Sequence, residues 1–364
     1  MTLRVPFVSL VPGPDADAIR RAVARVVDRG WFILGPEVEA FEHEFAAASG
    51  AAHAVGVGNG TDALALALRA MGIGPGDEVI TSPLSAAFSA LAIMMAGATP
   101  VFADVDPNRL TLDPSAAAAA VTPRTAAIMP VHLYGQPADM VALGDLARRR
   151  NLAILEDACQ AHFASCAGRP VGAFGAAAAF SFYPTKNLGA LGDGGAVITN
   201  DTAVADRLRR LRNGGQERKY QHVEFGVNSR LDDLQAAILR ARLPFMTAWT
   251  ARRRALGAIY RRELAPAAVT VPPECDPGHV YHLFPILSPS RDALMAHLER
   301  AGVGTLVHYP TALSEQPAFA AYAADCPVAV RVADQVCSLP LHPHLSDADA
   351  RTVAEAVRAF APGR

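Results

Sequence analysis

Between about residue 50 and residue 200 the chain alternates short apolar runs with segments whose apolar residues recur every three or four positions. The runs Ala54–Val57, Glu78–Thr81, Pro100–Ala103, Ala126–Pro130 and Leu152–Leu155 are each followed by Gly, Pro, Asp or Asn, and read as buried strands. Asp62–Met71 and Asp139–Arg150 have helical spacing, and Ala116–Ala120, a run of the best helix former, predicts a helix surface without chemistry. Such alternation predicts an α/β fold, a mostly parallel sheet covered by helices. After Asn200 the helices lengthen: Arg230–Arg242 is interrupted at Pro244 and resumes over Thr250–Glu263. Ala265–Gly278 reads as a connector, His279–Leu287 as a strand and Arg291–Ala301 as a helix. The chain therefore divides into a large domain over 1–245 and a smaller C-terminal α/β domain over 246–364.

Composition narrows the function classes. Among 364 residues, 33 Lys plus Arg stand against 35 Asp plus Glu, so the overall charge of a nucleic-acid binder is missing. A 51% hydrophobic, 19% charged chain buries enough apolar surface to offset the entropy of ordering it. Met1–Pro6 carries no apolar signal core, and no segment approaches about twenty apolar residues, which predicts a cytoplasmic protein without membrane attachment. Five scattered cysteines, Cys159, Cys166, Cys275, Cys326 and Cys337, make no disulfide framework and are expected to be reduced.

Three segments carry candidate chemistry. Val55–Leu64 runs from a strand through a Gly-rich turn (Gly56, Gly58, Gly60) into a helix that starts with Thr61 and Asp62. Free backbone N–H groups and the helix dipole converge there, as an anion site requires, although Thr61 or Asp62 could merely cap the helix. Leu152–Asp157 is an apolar strand ending in two carboxylates, Glu156 and Asp157, where open α/β sheets place their ligand crevice. Cys159-Gln160-Ala161-His162 suggests a thiol nucleophile or a metal site, but no second Cys/His cluster follows at zinc spacing. No metal is expected.

Phe180–Gly189 sets Lys186 after an aromatic strand and ahead of the Gly192-Asp193-Gly194-Gly195 turn and the strand Ala196–Thr199. The chain holds very few lysines beside many arginines, as if an amine were needed there and not only a charge. An amine forms a Schiff base and a guanidinium does not. The other lysine, Lys219, lies in a polar loop. A phosphate cradle, a strand-end carboxylate and a secluded lysine together match the needs of pyridoxal 5'-phosphate.

In this order the motifs make the sequence similar to the DegT/StrS family of pyridoxal-phosphate sugar aminotransferases over nearly its whole length. The markers are Gly35–Val38 with Phe41-Glu42, Gly60–Leu64, Gly76–Ile80, Glu156–His162, Ser181–Asn187, Asn228–Asp232 with Leu234–Ala237, His308-Tyr309-Pro310 and Ser338–Leu341. The resemblance implies an aspartate-aminotransferase-like fold with a large mixed-sheet cofactor domain. It further implies Lys186 as the internal aldimine lysine, Asp157 on the pyridinium nitrogen and Gln160 on the ring hydroxyl. Ser181 and the backbone at Gly60, Thr61 and Asp62 would hold the phosphate, with Asn228 reaching it from the second subunit of a homodimer. Phe88, Arg230, His308 and Tyr309 stand as substrate-binding candidates.

Two departures go with this. Ala86 stands where the family usually stacks an aromatic residue on the cofactor, with Phe88 two positions on, and Thr311–Pro317 lacks the family's histidine. The implied reaction moves an amino group from a donor, glutamate, to a nucleotide-linked keto sugar. The Asn228–Ala237 and Ser181–Asp193 segments look closer to enzymes acting at C-3 than at C-4, which points to a dTDP-3-keto-6-deoxyhexose. The alternatives are a 4-keto sugar aminotransferase, a related dehydratase, in which histidine replaces the lysine, or a non-catalytic sensor of the same fold.

Overall fold

The computed structural model describes residues 3–361. Seven strands form the central sheet: β1 His53–Val57, β2 Glu78–Thr81, β3 Thr99–Phe102, β4 Thr125–Met129, β5 Ala153–Asp157, β6 Ala177–Ser181 and β7 Gly195–Thr199. Their spatial order is β1-β7-β6-β5-β4-β2-β3. β7 runs antiparallel to both its neighbours, and the pairs from β6 to β3 are all parallel. Parallel strands buried on both faces read as continuous apolar runs, which is why the sequence marks them. The Glu78–Thr81 expectation coincides with β2, whereas β5 begins one residue late and extends through both carboxylates.

Four helices precede or cross the first half of the sheet: α1 Ala16–Arg29, α2 Pro36–Ser49, α3 Gly60–Ala70 and α4 Phe88–Met95. Asn59 caps α3, its side chain accepting the Asp62 N–H at 2.8 Å. Every residue from Ala63 to Leu68 is buried, because α3 packs against β6 and β7 on one side and α4 on the other. Leu64 and Leu68 join Val79, Ile93, Met129, Leu155 and Val197 in one apolar cluster. Burying each such leucine stabilises the fold by about 1.5–3 kcal/mol, so the helix start that carries the candidate anion site is rigidly anchored.

A second cluster gathers Leu256, Tyr260, Phe284, Ile286, Leu298 and Val357 around the two-stranded sheet of Phe284–Leu287 and Val336–Leu339. Val5 belongs to it and bridges to Val303, so the N-terminal segment is tied to the C-terminal unit. A third cluster spans the seam, packing Leu84, Phe102 and Tyr134 against Leu313, Phe319 and Val332.

Two expected elements are shorter than the sequence predicts. His279–Leu287 is strand only over Phe284–Leu287, since the Val280 and Leu283 amides donate to carbonyls of Gly135 and Tyr134 instead of a strand partner. Arg230–Arg242 is helical from Asp233, because Asp232 bridges to Ile33 and keeps the preceding residues extended. The break at Pro244 is a short 3-10 turn, Leu243–Phe245, before the helix Met246–Leu264.

Candidate active site

The C-terminal ends of β5 and β6 and the N-terminus of α3 converge. A Cβ on Gly60 would lie 2.7 Å from Ser181 Cβ and 3.0 Å from Cys159 Sγ. One on Gly195 would stand 2.3 Å from the Asn59 carbonyl oxygen, so β7 passes under the helix start only because that residue is glycine. The structure thus brings together Gly60, Thr61, Asp62, Ser181 and the strand-end acids.

The two carboxylates of β5 point to opposite faces, as alternate strand residues must. Glu156 is fully buried and accepts N–H groups from Gly172 (2.8 Å), Phe174 (3.0 Å) and Gly175 (2.8 Å), with His132 Nε2 at 3.1 Å. It stitches a loop to the sheet. Asp157 is 4% exposed yet has no basic side chain within salt-bridge distance among the described residues. Its oxygens accept Ser89 Oγ–H at 2.7 Å and the Cys159 N–H at 3.2 Å. Ser89 Oγ lies 3.0 Å from Ser85 Oγ. A buried carboxylate without a cationic partner is costly, and a protonated ring nitrogen would relieve it.

Burial pushes the Lys186 ammonium below its ordinary value, against opposing pulls from Cys159 and Asp157. Burial and then Asp157 hold the Cys159 thiol well above its usual range, so it is an inert, protonated neighbour and not a nucleophile. Lys219, by contrast, is exposed, with its ammonium over the Tyr220 ring at 5.2 Å.

Gln160 joins residues far apart in the chain. Its Oε1 accepts the Tyr134 N–H at 2.8 Å and its Nε2 donates to Tyr309 Oη at 3.2 Å, leaving one Nε2 hydrogen for a ligand. Burial pushes the Tyr309 phenol up to about 12. His308 Nδ1 lies 2.9 Å from Ser338 Oγ, and burial followed by the charge of Lys186 lowers His308 to about 4, so it is neutral near pH 7.

Other candidates fall differently. The Asp62 amide is taken by Asn59, and its carboxylate accepts Ser229 Oγ–H at 2.6 Å, so Gly60 and Thr61 are the amides left open at the helix start among the described residues. Arg230 donates to Asn213 Oδ1 at 3.1 Å, Asn228 is exposed, and Phe88 is 59% exposed on the outer side of α4. His162 is buried beside Phe180 and Phe182, where burial holds it near 3. No group of three His, Cys, Asp or Glu suited to a metal occurs among the described residues. Sequence reasoning missed Ser89 and Tyr134; the Ser85-to-Ser89 spacing of four on an otherwise apolar helix start is the signal that was available for the first.

A mixed sheet with this strand order, an amine lowered by burial, an unpaired buried acid and an open helix N-terminus define a pyridoxal-phosphate enzyme of the aspartate-aminotransferase fold. The chain belongs to the DegT/DnrJ/EryC1/StrS aminotransferase family, whose model matches residues 15–358. It is 50% identical, over 99% of this chain and 97% of the relative, to the dTDP-3-amino-3,4,6-trideoxy-alpha-D-glucose transaminase of Streptomyces venezuelae. A crystal structure of S. venezuelae DesV in complex with a ketimine intermediate superposes with a TM-score of 0.94 at 50% identity, covering 98% of each chain. NtdA from Bacillus subtilis with bound cofactor PMP gives 0.91 at 30% identity, covering 98% of this chain and 85% of that one. The protein is an aminotransferase that uses pyridoxal phosphate.

Proposed function

We propose that the enzyme takes an amino group from glutamate and delivers it to C-3 of a dTDP-linked 3-keto-6-deoxyhexose. The observation that carries the chemistry is the pairing of Lys186, lowered by burial, with Asp157, buried and without an ion pair. Lys186 would bind the cofactor aldehyde, Asp157 would face its ring nitrogen, and Gly60, Thr61 and Ser181 would take its phosphate. Once bound, the cofactor would supply an electron sink. Lys186 Nζ, whose charged form burial disfavours, would take the proton from the donor α-carbon. Gln160 keeps one donor for the ring hydroxyl and ties the site to Tyr309. His308, Tyr309, Arg230 and Phe88 are assigned to the sugar-nucleotide side, and the C-3 position is supported by the 50% identity to a 3-amino-sugar transaminase. Lys186 speaks against the dehydratase reading. Product mass spectrometry with glutamate and matched 3-keto and 4-keto dTDP sugars tests the assignment; amination of the 4-keto compound alone would overturn the C-3 choice.

The active unit is a homodimer with shared sites. Trp31, Phe32, Met95, Tyr220 and Phe225 are exposed, Phe225 at 93%, a spread of large apolar groups that solvent does not favour. Asn228 follows three residues after Phe225 and is exposed, which suits a side chain that serves the partner's phosphate site. Mixing Lys186→Ala with Asn228→Ala subunits should restore one intact site per hybrid and recover activity; no recovery from a mixture that forms hybrids would overturn sharing.

A further inference from the structure

We infer that Ser89, held in line by Ser85, is a positioning residue that fixes and electrostatically biases the Asp157 carboxylate. The inference rests on the reading of Asp157 given above. An ionised carboxylate only accepts hydrogen bonds, so the 2.7 Å contact obliges Ser89 to donate its one hydroxyl proton to Asp157 Oδ2. The 3.0 Å contact with Ser85 then runs from Ser85 to Ser89, because Ser89 has no second proton to give. Direction is thereby set for the whole relay, Ser85 to Ser89 to Asp157.

All three residues are buried, at 3%, 2% and 4% exposure, so water does not substitute for a missing partner. The Cys159 N–H at 3.2 Å fixes the other oxygen, and together the two donors pin the carboxylate plane. Ser89 sits in the first turn of α4 while its neighbour Phe88 faces outward, so the helix presents the hydroxyl to the strand end. A hydrogen bond donated to the charged form favours that form. Ser89 therefore holds an Asp157 oxygen in one orientation, where the carboxylate would face and keep the proton of a ring nitrogen. Without it, one of the two donors that pin the carboxylate plane is gone, and a ring-nitrogen proton would be held less firmly.

The test uses holoenzyme reconstituted with pyridoxal phosphate labelled with 15N in the ring, and compares wild type, Ser89→Ala, Ser89→Thr, Ser85→Ala and Asp157→Asn. For Ser89→Ala the ring-nitrogen resonance should shift toward that of unprotonated pyridine. Its kcat should fall about tenfold, the low end for loss of a hydrogen bond to a charged group, with KM for both substrates unchanged. Ser89→Thr should restore both, and Ser85→Ala should move both in the same direction but less, which keeps the inference testable if Ser89→Ala does not fold. An unmoved resonance in Ser89→Ala, with Asp157→Asn moving it, overturns the serine role alone. An unmoved resonance in Asp157→Asn overturns the ring-nitrogen assignment and the serine role with it.

Discussion

The two faces of the C-terminal end of β5 carry adjacent carboxylates in opposite circumstances. Glu156 is surrounded by three backbone N–H groups and His132 Nε2, whereas Asp157 receives one hydroxyl and one amide at comparable burial. A fully solvated-by-protein acid holds a fold together. An incompletely partnered one is stable only where something else completes it, and the proposed cofactor contact would fill the deficit on the Asp157 face.

The comparison can be broken at its functional end first. Lys186→Ala removes the amine proposed to handle the α-proton, and turnover should fall by roughly ten-thousandfold while the fold is unchanged by circular dichroism. Borohydride reduction of the wild-type holoenzyme, followed by peptide mapping, should tag Lys186; a tag on Lys219 instead would undo the site. Asp157→Asn comes next: cofactor should remain bound, since the phosphate contacts are separate, and kcat should drop by an amount equal to about 2–4 kcal/mol. Wild-type turnover in that variant would erase the distinction between the two faces.

Glu156→Gln should show the mirror image. Loss of charge in front of three amides should cost about 3 kcal/mol of stability in a denaturant titration, with kcat of the folded fraction little altered. Most gradual is the response to acid. Burial holds His162 and His279 near 3 and His308 and His342 near 4 in the folded chain, below the ordinary 6.5. The unfolded chain therefore binds more protons below pH 6.5, and stability present above that pH declines as the pH falls toward 4. Melting temperatures at stepped pH should be flat above about 7 and fall below 6; a flat profile down to pH 4 would mean that these rings are not enclosed.

Much of this was legible in the chain. The apolar runs read as central-sheet strands were placed to within one or two residues, because strands buried on both faces leave apolar runs with sharp ends. Lys186 stood out by its aromatic approach and by the scarcity of lysine. The choice between Glu156 and Asp157 was readable only through the family resemblance, which pointed to Asp157, since the strand pattern itself does not show the Gly172–Gly175 loop folding back to one face. Not readable was the loss of the Asp62 amide to Asn59, a capping bond that competes with ligand binding for the same hydrogen. The His279–Leu287 expectation overshot because apolar residues there satisfy a turn around Tyr134 and not a ladder. Local pattern predicts what repeats along the chain; contacts such as Gln160 to Tyr309, 149 residues apart, follow from where the second unit docks.

The exposed Lys219 and the enclosed Lys186 are the chain's two lysines among 33 basic side chains. A surface charged by arginine attracts anions without offering nucleophiles, because guanidinium does not condense with aldehydes. An aldehyde cofactor approaching this protein therefore meets a single solvent-facing side-chain amine, Lys219, besides the enclosed Lys186. Competition for the cofactor is thus kept low by composition, and amine-directed reagents should report occupancy of one pocket against the background of one exposed lysine.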